Sequence, residues 1–248
     1  MNIAILGDGR LGTEIGAVLG NRSGIRPLTL GRPPAGRTER PELAGIDLVF
    51  EASTGPAVAA NIDAALAAGV RRFVIATTAW SESRPAVERA LGRAGACAVA
   101  SPNFSLGVAL FFRLVDAAAR LYGPIAAFEP YVVEWHHAAK ADRPSGTALE
   151  LSRRIVAVRP GRPPLAKIAS LRAGSAPGTH LVGFDAPAET LELRLTARNR
   201  SAYAAGAVEA GDWLGAGPRS AGIHSFDEVL DDLLAGSSPS SARRTTIQ

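Results

Sequence analysis

Short apolar runs alternate with helical patterns over the first 100 residues of the chain. The apolar runs occupy residues 1–6, 28–30, 46–50, 73–76 and 97–100. Between them, apolar residues recur every three or four positions, as in the series Leu11, Ile15 and Leu19, which is the spacing of one helix face. Strands and helices that alternate in this way predict a parallel sheet covered by helices.

A glycine-rich turn follows the first predicted strand, at the point where the first helix begins. Glycines permit a tight turn and a close approach of the backbone to a pyrophosphate, and the amides of a helix N-terminus attract the anion. The position of the turn indicates a dinucleotide site, although a bare strand-to-helix turn is the alternative. The candidate residues are Gly7, Asp8, Gly9, Arg10, Leu11 and Gly12.

The end of the second predicted strand bears on which dinucleotide would bind. Sites for NAD commonly have an acid about 20 residues after the glycines. Here Arg32 and Arg37 follow the strand, and the first acid is Glu39. Because an arginine can pair with a 2′-phosphate, the sequence favours NADPH, with NADH as the second choice. The alternative interpretation is that either arginine is only a solvated charge on a loop.

The pattern changes after residue 103. A long helix is predicted at 106–121, and strands are predicted at 126–135, 168–172, 180–184 and 190–197. Apolar and polar residues alternate in the last strand, which indicates a sheet with one buried face. Arg172 ends one of these predicted strands and His180 begins another, so both border loops of this region, and a structural hydrogen bond is the alternative role of His180. Two further helices are predicted at 203–214 and, after a Ser225–Glu228 capping box, through Leu234.

These patterns predict an α/β protein with two domains. A Rossmann-like, parallel-sheet nucleotide-binding domain would consist of residues 1–103 and 203–235 and would be completed by the C-terminal helices. An inserted α+β domain with a mixed sheet would consist of residues 104–202. Residues 236–248, rich in serine and threonine, are predicted to form a disordered tail.

Composition argues against several classes of protein. The 27 basic and 23 acidic residues are scattered, the net charge is +4 and only 6% of residues are aromatic, so we expect no nucleic-acid partner. No apolar run approaches the roughly 18 residues of a membrane span, and no basic segment of a signal peptide precedes the first strand. A single cysteine, Cys97, excludes an internal disulfide and agrees with a cytoplasmic protein.

The densest cluster of chemically capable residues spans 134–148. It contains the adjacent His136 and His137, has Lys140 shortly after them, and ends in Pro-Ser-Gly-Thr where a helix begins. These residues offer a proton donor, a fixed cation and free backbone amides for an anionic substrate. A zinc signature is absent, so we predict no metal. A surface histidine pair beside a capped helix is the other alternative.

The whole chain resembles the dihydrodipicolinate reductase family of bacteria and plants. The segment 134–148 is similar to the signature of that family: an acid, two histidines, a lysine after two residues, and then Asp-x-Pro-Ser-Gly-Thr-Ala. Further similarity lies in 101–108, 172–180 and 200–214, in the order of the family.

The resemblance implies reduction of 4-hydroxy-tetrahydrodipicolinate to tetrahydrodipicolinate, with loss of water, in the diaminopimelate route to lysine. It also implies that His136 donates a proton with Lys140 as its catalytic partner, and that the second domain binds the dicarboxylate and assembles a homotetramer. The implied substrate residues are His137, Lys140, Ser145, Gly146 and Thr147. The further cofactor residues are Ala76, Thr77, Thr78, Ser101, Asn103 and Phe104.

Two departures from the family pattern fall near the cofactor. The segment 76–79 reads Ala-Thr-Thr-Ala where the family has Gly-Thr-Thr-Gly, and 51–53 reads Glu-Ala-Ser where Asp-Phe-Thr is common. An alanine restricts the backbone angles of a turn. Two alternatives therefore stay open: a divergent member that reduces another cyclic imine or dicarboxylate, and a sensor that binds NADP(H) without catalysis.

Overall fold

The structure, a computed structural model, describes residues 1–32, 39–158 and 166–236. The chain forms two compact units. One consists of Met1–Leu106 with the chain from Arg200 onward, and the other consists of Gly107–Asn199. Arg37 and residues 237–248 of the predicted tail lie outside the described residues.

Most of the predicted strands and helices are present, with ends that differ by a few residues. The strands in chain order are β1 (Ile3–Leu6), β2 (Leu28–Leu30), β3 (Leu48–Glu51), β4 (Arg72–Ile75), β5 (Cys97–Ala100), β6 (Glu129–His136), β7 (Lys167–Arg172), β8 (Gly178–Ala186), β9 (Glu189–Ala197) and β10 (Gly222–Ser225). The helices are α1 (Arg10–Ser23), α2 (Val58–Ala67), α3 (Arg84–Ala94), α4 (Leu106–Tyr122), α5 (Gly146–Ala157), α6 (Ser201–Gly215) and α7 (Phe226–Leu234). Within the described ranges, none of these helices is long and apolar enough to cross a membrane.

The first unit is built on a six-stranded sheet in the order β10-β5-β4-β3-β1-β2. All of its strand pairs are parallel, which confirms the predicted class of sheet. Strands β1 and β3 are buried along their whole length, as expected where helices cover both faces. Phe73 on β4 shares a core with Ile62 of α2 and Leu91 of α3. Because the strands are parallel, the segments that follow β1, β3, β4 and β5 lie at the same edge of the sheet.

Strand β10 corrects the prediction that helices alone complete this unit. It pairs with β5 at the end of the sheet. Ile223 is its one large apolar residue, so neither alternation nor an apolar run marks this strand in the sequence. The capping box that follows it is confirmed, because Ser225 Oγ accepts a hydrogen bond from the Glu228 amide and the Glu228 side chain accepts one from the Ser225 amide.

The second unit contains a four-stranded sheet in the order β7-β6-β8-β9. Strand β6 is parallel to β7 and antiparallel to β8, which is antiparallel to β9, so the predicted mixed sheet is confirmed. One face of the sheet shares a buried cluster with α4 and α5, in which Val132 and Phe184 join Phe111 and Leu151. Alternate residues of a strand share a face, so β6 continues this inner face toward its carboxyl end.

Cross-strand pairing in the second unit corrects the ends of two predicted strands, β6 and β8. Strand β6 begins at Glu129 rather than at residue 126, because residues 126–127 form a turn, and it includes His136. Arg172 is the last residue of β7, and His180 lies within β8. Both positions agree with the predicted strands 168–172 and 180–184. Strand β8 begins two residues before His180, because Thr179 pairs with β6 and Gly178 pairs with β9.

Candidate functional site

The glycine turn after β1 has a shape that only glycine permits at two positions. Gly7 has φ of +120°, and a Cβ atom on it would lie 2.3 Å from the carbonyl oxygen of Ala52. A Cβ atom on Gly12 would lie 2.0 Å from the carbonyl oxygen of Gly7. Among the described residues, nothing lies within 4 Å of a Cβ on Gly9, the N-cap residue of α1. The turn is therefore tightly packed on one side and open at the start of the helix, which fits a bound pyrophosphate.

A cavity of about 430 Å³ opens beside this turn within the first unit. Eight of the predicted cofactor residues line it: Gly9, Arg10, Leu11, Ala76, Thr77, Thr78, Asn103 and Phe104. Five further residues line the cavity: Ala52, Ser53, Pro102, Arg200 and Tyr203. The family departure at 51–53 placed the first two near the cofactor. The other three were not predicted from the sequence, because no local motif marks them as cofactor contacts. The cavity and the glycine turn together fit a dinucleotide.

Five predicted cofactor residues do not line the cavity: Gly7, Asp8, Gly12, Arg32 and Ser101. Gly7 and Gly12 shape the turn itself. The Ser101 hydroxyl donates a hydrogen bond to the carbonyl of Asn103 at 2.8 Å and accepts one from its amide at 3.2 Å, so it holds the loop after β5. Ser101 thus orders a lining residue rather than forming the wall.

Charges of both signs lie at the end of β2. A Cβ atom on Gly31 would lie 2.9 Å from Oδ2 of Asp8, so this carboxylate from the glycine turn reaches the end of the second strand. Arg32 is exposed, and the buried Arg40 donates a hydrogen bond to the Gly31 carbonyl at 3.0 Å. An acid favours a ribose hydroxyl and an arginine favours a 2′-phosphate, so these residues favour opposite cofactors.

The altered threonine turn after β4 contains an unusual backbone conformation. Ala79 has φ of +58°, the left-handed region that favours glycine. Gly55 packs against this turn so closely that a Cβ atom on it would lie 2.0 Å from the Ala79 carbonyl oxygen. The Thr77 hydroxyl donates to the Glu51 carbonyl at 3.4 Å. Ala79 therefore has a backbone conformation that is unfavourable for a residue with a Cβ atom.

In the second unit, the carboxylate of Glu134 is the centre of a buried polar cluster. Glu134 is completely buried on β6. Its Oε1 accepts hydrogen bonds from the Ser145 amide at 2.9 Å, the Ser170 hydroxyl at 2.7 Å and Arg172 Nη2 at 2.9 Å. Burial alone would raise the pKa of Glu134, but hydrogen bonds from Ser145, Ser170 and Arg172 lower it to about 2. The group is therefore a carboxylate anion near neutral pH.

Two imidazoles face the other oxygen of this carboxylate. His136 Nδ1 lies 3.3 Å from Glu134 Oε2, and His180 Nε2 lies 3.6 Å from it. Burial lowers the pKa of His136 below its ordinary value of 6.5, an effect that Glu134 opposes and Lys140 and Arg172 reinforce. Burial also lowers the pKa of His180, to about 4, with a further contribution from His136. His180 is therefore neutral near pH 7, and the lowered pKa of His136 favours its neutral form as well.

The remaining predicted substrate residues follow β6 directly. Lys140 forms an ion pair with Asp142, with 2.6 Å between Nζ and Oδ1, and His137 is exposed. Ser145 is buried and caps α5, because its Oγ accepts a hydrogen bond from the Ala148 amide at 3.2 Å. The next two amides belong to the first turn of the helix, where backbone N–H groups have no intrahelical acceptor. Gly146 and Thr147, which carry these amides, are partly or fully exposed.

Glu134, His136 and His180 also bring three potential metal ligands within 4.8 Å of one another. However, Oε1 of Glu134 already accepts three hydrogen bonds, one of them from the guanidinium of Arg172. A fixed positive charge 2.9 Å from the carboxylate opposes the approach of a second cation. The arrangement suits a hydrogen-bonded carboxylate–imidazole cluster better than a metal centre.

The sequence analysis noted Glu134 as part of a signature but assigned it no role. Its spacing offered a signal, because Glu134 and His136 are two residues apart on a strand and must share a face. No local sequence pattern indicates that Arg172 and His180 belong to the cluster around Glu134. They depend on the register that sets Arg172 opposite His136 and His180 opposite Glu134.

The comparisons with known proteins agree with the geometry of both units. The family model for the C-terminus of dihydrodipicolinate reductase matches residues 107–230. The 4-hydroxy-tetrahydrodipicolinate reductase of Methanococcoides burtonii is 35% identical over 198 residues, which cover 74% of this chain and 73% of the relative. This chain belongs to the dihydrodipicolinate reductase family. The reductase of Methanosarcina barkeri is 33% identical over 196 residues, with the same shares of both chains.

The family resemblance drawn from the sequence is thereby confirmed, and the chain is a member of an oxidoreductase family. A solved dihydrodipicolinate reductase from Paenisporosarcina sp. TG-14, bound to dipicolinate, has the same fold. Its TM-score is 0.72 at 19% sequence identity, and the match covers 91% of this chain and 97% of that chain. The fold and the family together support a pyridine nucleotide as the cofactor.

Proposed function

We propose that this protein catalyses the reduction of 4-hydroxy-tetrahydrodipicolinate to tetrahydrodipicolinate, with loss of water, in the diaminopimelate route to lysine. The observation that carries the proposal is the buried cluster in which Glu134 contacts both the His136 imidazole and the Ser145 amide at the start of α5. A candidate proton donor and a candidate carboxylate site are thereby joined through one side chain. The names of the relatives in the family support the same reaction.

The first unit would hold the cofactor, for which we propose NADPH, with NADH as the second choice. The amides at the start of α1 would bind the pyrophosphate, because Gly9 leaves that end of the helix open. The residues along the cavity wall, Thr77 and Asn103 among them, would bind the rest of the nucleotide. When bound, the reduced nicotinamide supplies a hydride.

The second unit would hold the two carboxylates of the substrate. The free amides of Gly146 and Thr147 at the positive end of α5 are suited to one carboxylate, and Lys140 and His137 are suited to the other. Ser145 would act indirectly, since its hydroxyl is engaged in capping the helix. When the substrate binds, Lys140 would break its ion pair with Asp142 and pair with a carboxylate of the substrate instead.

His136 would supply the proton that completes the reaction. Loss of water across carbon 4 and the neighbouring carbon would leave a conjugated imine, and addition of a hydride at carbon 4 would leave the anion of an enamine. Protonation of the neighbouring carbon by His136 then gives the imine product, and the histidine recovers its proton from solvent. A nearby dianion raises the pKa of a histidine, so substrate binding would favour the protonated donor. The ammonium of Lys140 would stabilise the charge that develops on the substrate.

The strained turn at Ala79 favours one alternative function. A divergent member of the family with a shifted nicotinamide contact would reduce another cyclic imine or dicarboxylate with the same His136 and Lys140. A sensor that binds NADP(H) without catalysis is less well supported, because binding alone gives no reason for the buried cluster around Glu134.

We also propose a homotetramer in the cytoplasm. The outer face of the second sheet supports the oligomer, because Leu171 is 56% exposed and Val133 and Trp135 are only half-buried. Exposed apolar surface of this kind is typical of a contact between subunits. Light scattering after gel filtration should give four times the mass of the chain, and Leu171→Glu should give a smaller species. The single buried Cys97 agrees with a reducing compartment.

The reaction is tested by following the oxidation of NADPH, and separately of NADH, by the purified protein. The substrate is generated in place from pyruvate and aspartate semialdehyde by a dihydrodipicolinate synthase. Enzyme-dependent oxidation that His136→Gln reduces at least about 100-fold supports the proposal. Tight binding of NADPH without turnover would favour the sensor, and turnover of other cyclic imines alone would favour the divergent reductase.

A further inference from the structure

The two oxygens of the Glu134 carboxylate have different surroundings. Oε1 accepts three hydrogen bonds. Oε2 is buried and has no well-formed hydrogen bond with the residues that the structure describes. The same is true of Nδ1 of His136, which lies 3.3 Å away. Two buried polar atoms that face each other at this distance need only one proton, on the nitrogen, and a slight rotation to form a hydrogen bond.

A buried charge at this position is not explained by stability. A buried ion pair such as Glu134 with Arg172 contributes little to folding, because the cost of desolvating both groups offsets their attraction. Apolar residues of similar volume would stabilise the inner face of the sheet equally well. The anion must therefore serve a group beside it, and the group that Oε2 faces at the shortest distance is the His136 imidazole.

We propose that Glu134 is a positioning residue: its Oε2 accepts a hydrogen bond from Nδ1 of His136 and thereby fixes which ring nitrogen handles the substrate proton. The inference rests on the proposed function, in which His136 is the proton donor. With the Nδ1 proton held by Glu134, Nε2 is the atom that protonates the substrate and is reprotonated. The same carboxylate accepts the Ser145 amide at 2.9 Å through Oε1, so it also fixes the start of α5 relative to the histidine.

The neighbouring groups favour this assignment over a competing one through His180. His180 Nε2 is 3.6 Å from Oε2, farther than His136, and lies 3.2 Å from the Ser145 hydroxyl. Ser145 Oγ already accepts the Ala148 amide, so its own proton is available to the His180 nitrogen. If His180 Nε2 accepts a hydrogen bond from the Ser145 hydroxyl, this nitrogen carries no proton to donate to Glu134. Oε2 of Glu134 is then available to accept a hydrogen bond from His136.

The activity test compares Glu134→Gln with Ser170→Ala. The glutamine keeps the size of the side chain but removes the anion and presents an amide N–H to one of its neighbours. Ser170→Ala removes one donor from Oε1 and leaves Oε2 facing His136, so it is the matched control for lost hydrogen bonding. We expect Glu134→Gln to lower kcat at least about 100-fold, because it favours the wrong tautomer, while KM and the affinity for pyridine-2,6-dicarboxylate change less than about threefold. Ser170→Ala should keep kcat within about threefold of the wild type.

A purely structural role for Glu134 predicts that the substitutions change stability but not the kcat of the folded protein. Both variants would then lose thermal stability and active fraction, and kcat per folded molecule would stay at the wild-type value, which overturns the proposal. Should Glu134→Gln fail to fold, Glu134→Asp replaces it. The aspartate keeps the charge beside Arg172 but withdraws the carboxylate from His136, so it should fold and still lose kcat.

A second measurement reads the tautomer without turnover. In protein labelled with ¹⁵N-histidine, long-range proton–nitrogen NMR spectra recorded above the pKa of His136 distinguish Nδ1–H from Nε2–H, and His136→Gln assigns the signals. We expect Nδ1–H in the wild type and Nε2–H in Glu134→Gln. An Nε2–H wild type, or no change in the variant, overturns the positioning role. Absence of reductase activity in the wild type would instead overturn the proposed function, so the two failures are distinguishable.

Discussion

Gly178 lies against the ring edge of His136 that carries Nε2. A Cβ atom on Gly178 would lie 3.1 Å from both Cδ2 and Nε2 of His136. Gly178 begins β8 with a backbone conformation that does not require glycine. Glycine is therefore required here for its small size rather than for its backbone freedom. The absence of a side chain leaves room around Nε2 of His136, the nitrogen to which we assign proton transfer.

The first prediction concerns this contact. We expect Gly178→Ala to lower kcat/KM about tenfold, because the added methyl group displaces the His136 ring by a few tenths of an ångström, while the thermal midpoint stays within about 3 °C of the wild type. Steady-state kinetics and a thermal melt by circular dichroism measure the two effects. Gly92→Ala on α3, where a Cβ meets no described residue within 4 Å, is the control and should leave kcat/KM unchanged. Wild-type activity in Gly178→Ala would contradict the assignment of Nε2.

The glycine turn permits a test that separates folding from cofactor binding. We expect Gly9→Ala to fold with a loss of less than about 1 kcal/mol, because its Cβ enters open space, but to bind NADPH at least about tenfold more weakly, because that space is needed for the pyrophosphate. Gly12→Ala should instead destabilise the unit by about 1–3 kcal/mol, because its Cβ would collide with the Gly7 carbonyl. Urea unfolding and fluorescence titration with NADPH measure the two quantities. A Gly9→Ala variant with normal affinity would argue against pyrophosphate at this turn.

The turn at 76–79 predicts opposite effects for two similar substitutions. Ala79→Gly relieves a side chain held at φ of +58°, whereas Ala76→Gly only removes a buried methyl group and adds freedom to the unfolded chain. We expect the free energy of unfolding of Ala79→Gly to exceed that of Ala76→Gly by at least about 1 kcal/mol. Urea denaturation of both variants provides the comparison. Equal stabilities would mean that the alanine at 79 is not strained.

The sequence predicted those parts of the molecule that depend on local pattern. The strand–turn–helix around Gly7 and Gly12 and the capping box at Ser225 follow from neighbouring residues, and the structure has them in place. The cluster around Glu134 combines residues from β6, β7, β8 and the start of α5, and its members acquire their roles only from strand register. Strand β10 was missed for a related reason, because pairing with β5 rather than its own composition makes it a strand.

Acid stability is expected to depend on His180. Burial lowers the pKa of this histidine from 6.5 to about 4, so between these two values the unfolded chain binds a proton that the folded chain excludes. Stability from this group is therefore complete above pH 6.5 and is lost as the pH falls toward 4, which amounts to about 2 kcal/mol between about pH 7 and about pH 5. Urea unfolding at both pH values should show this loss in the wild type and a smaller one in His180→Gln. His137→Gln, at an exposed position, is the control, and an equal loss in all three proteins would contradict the prediction.

The reaction that we propose transfers a hydride from a nicotinamide to carbon 4 of the lysine-pathway substrate. It is tested most directly with NADPH that carries deuterium at the transferable position, followed by mass spectrometry and NMR of the product. We expect tetrahydrodipicolinate that contains one deuterium at carbon 4 and appears in proportion to the NADPH consumed. Oxidation of the cofactor without label in this product, or the absence of enzyme-dependent oxidation despite bound NADPH, would contradict it.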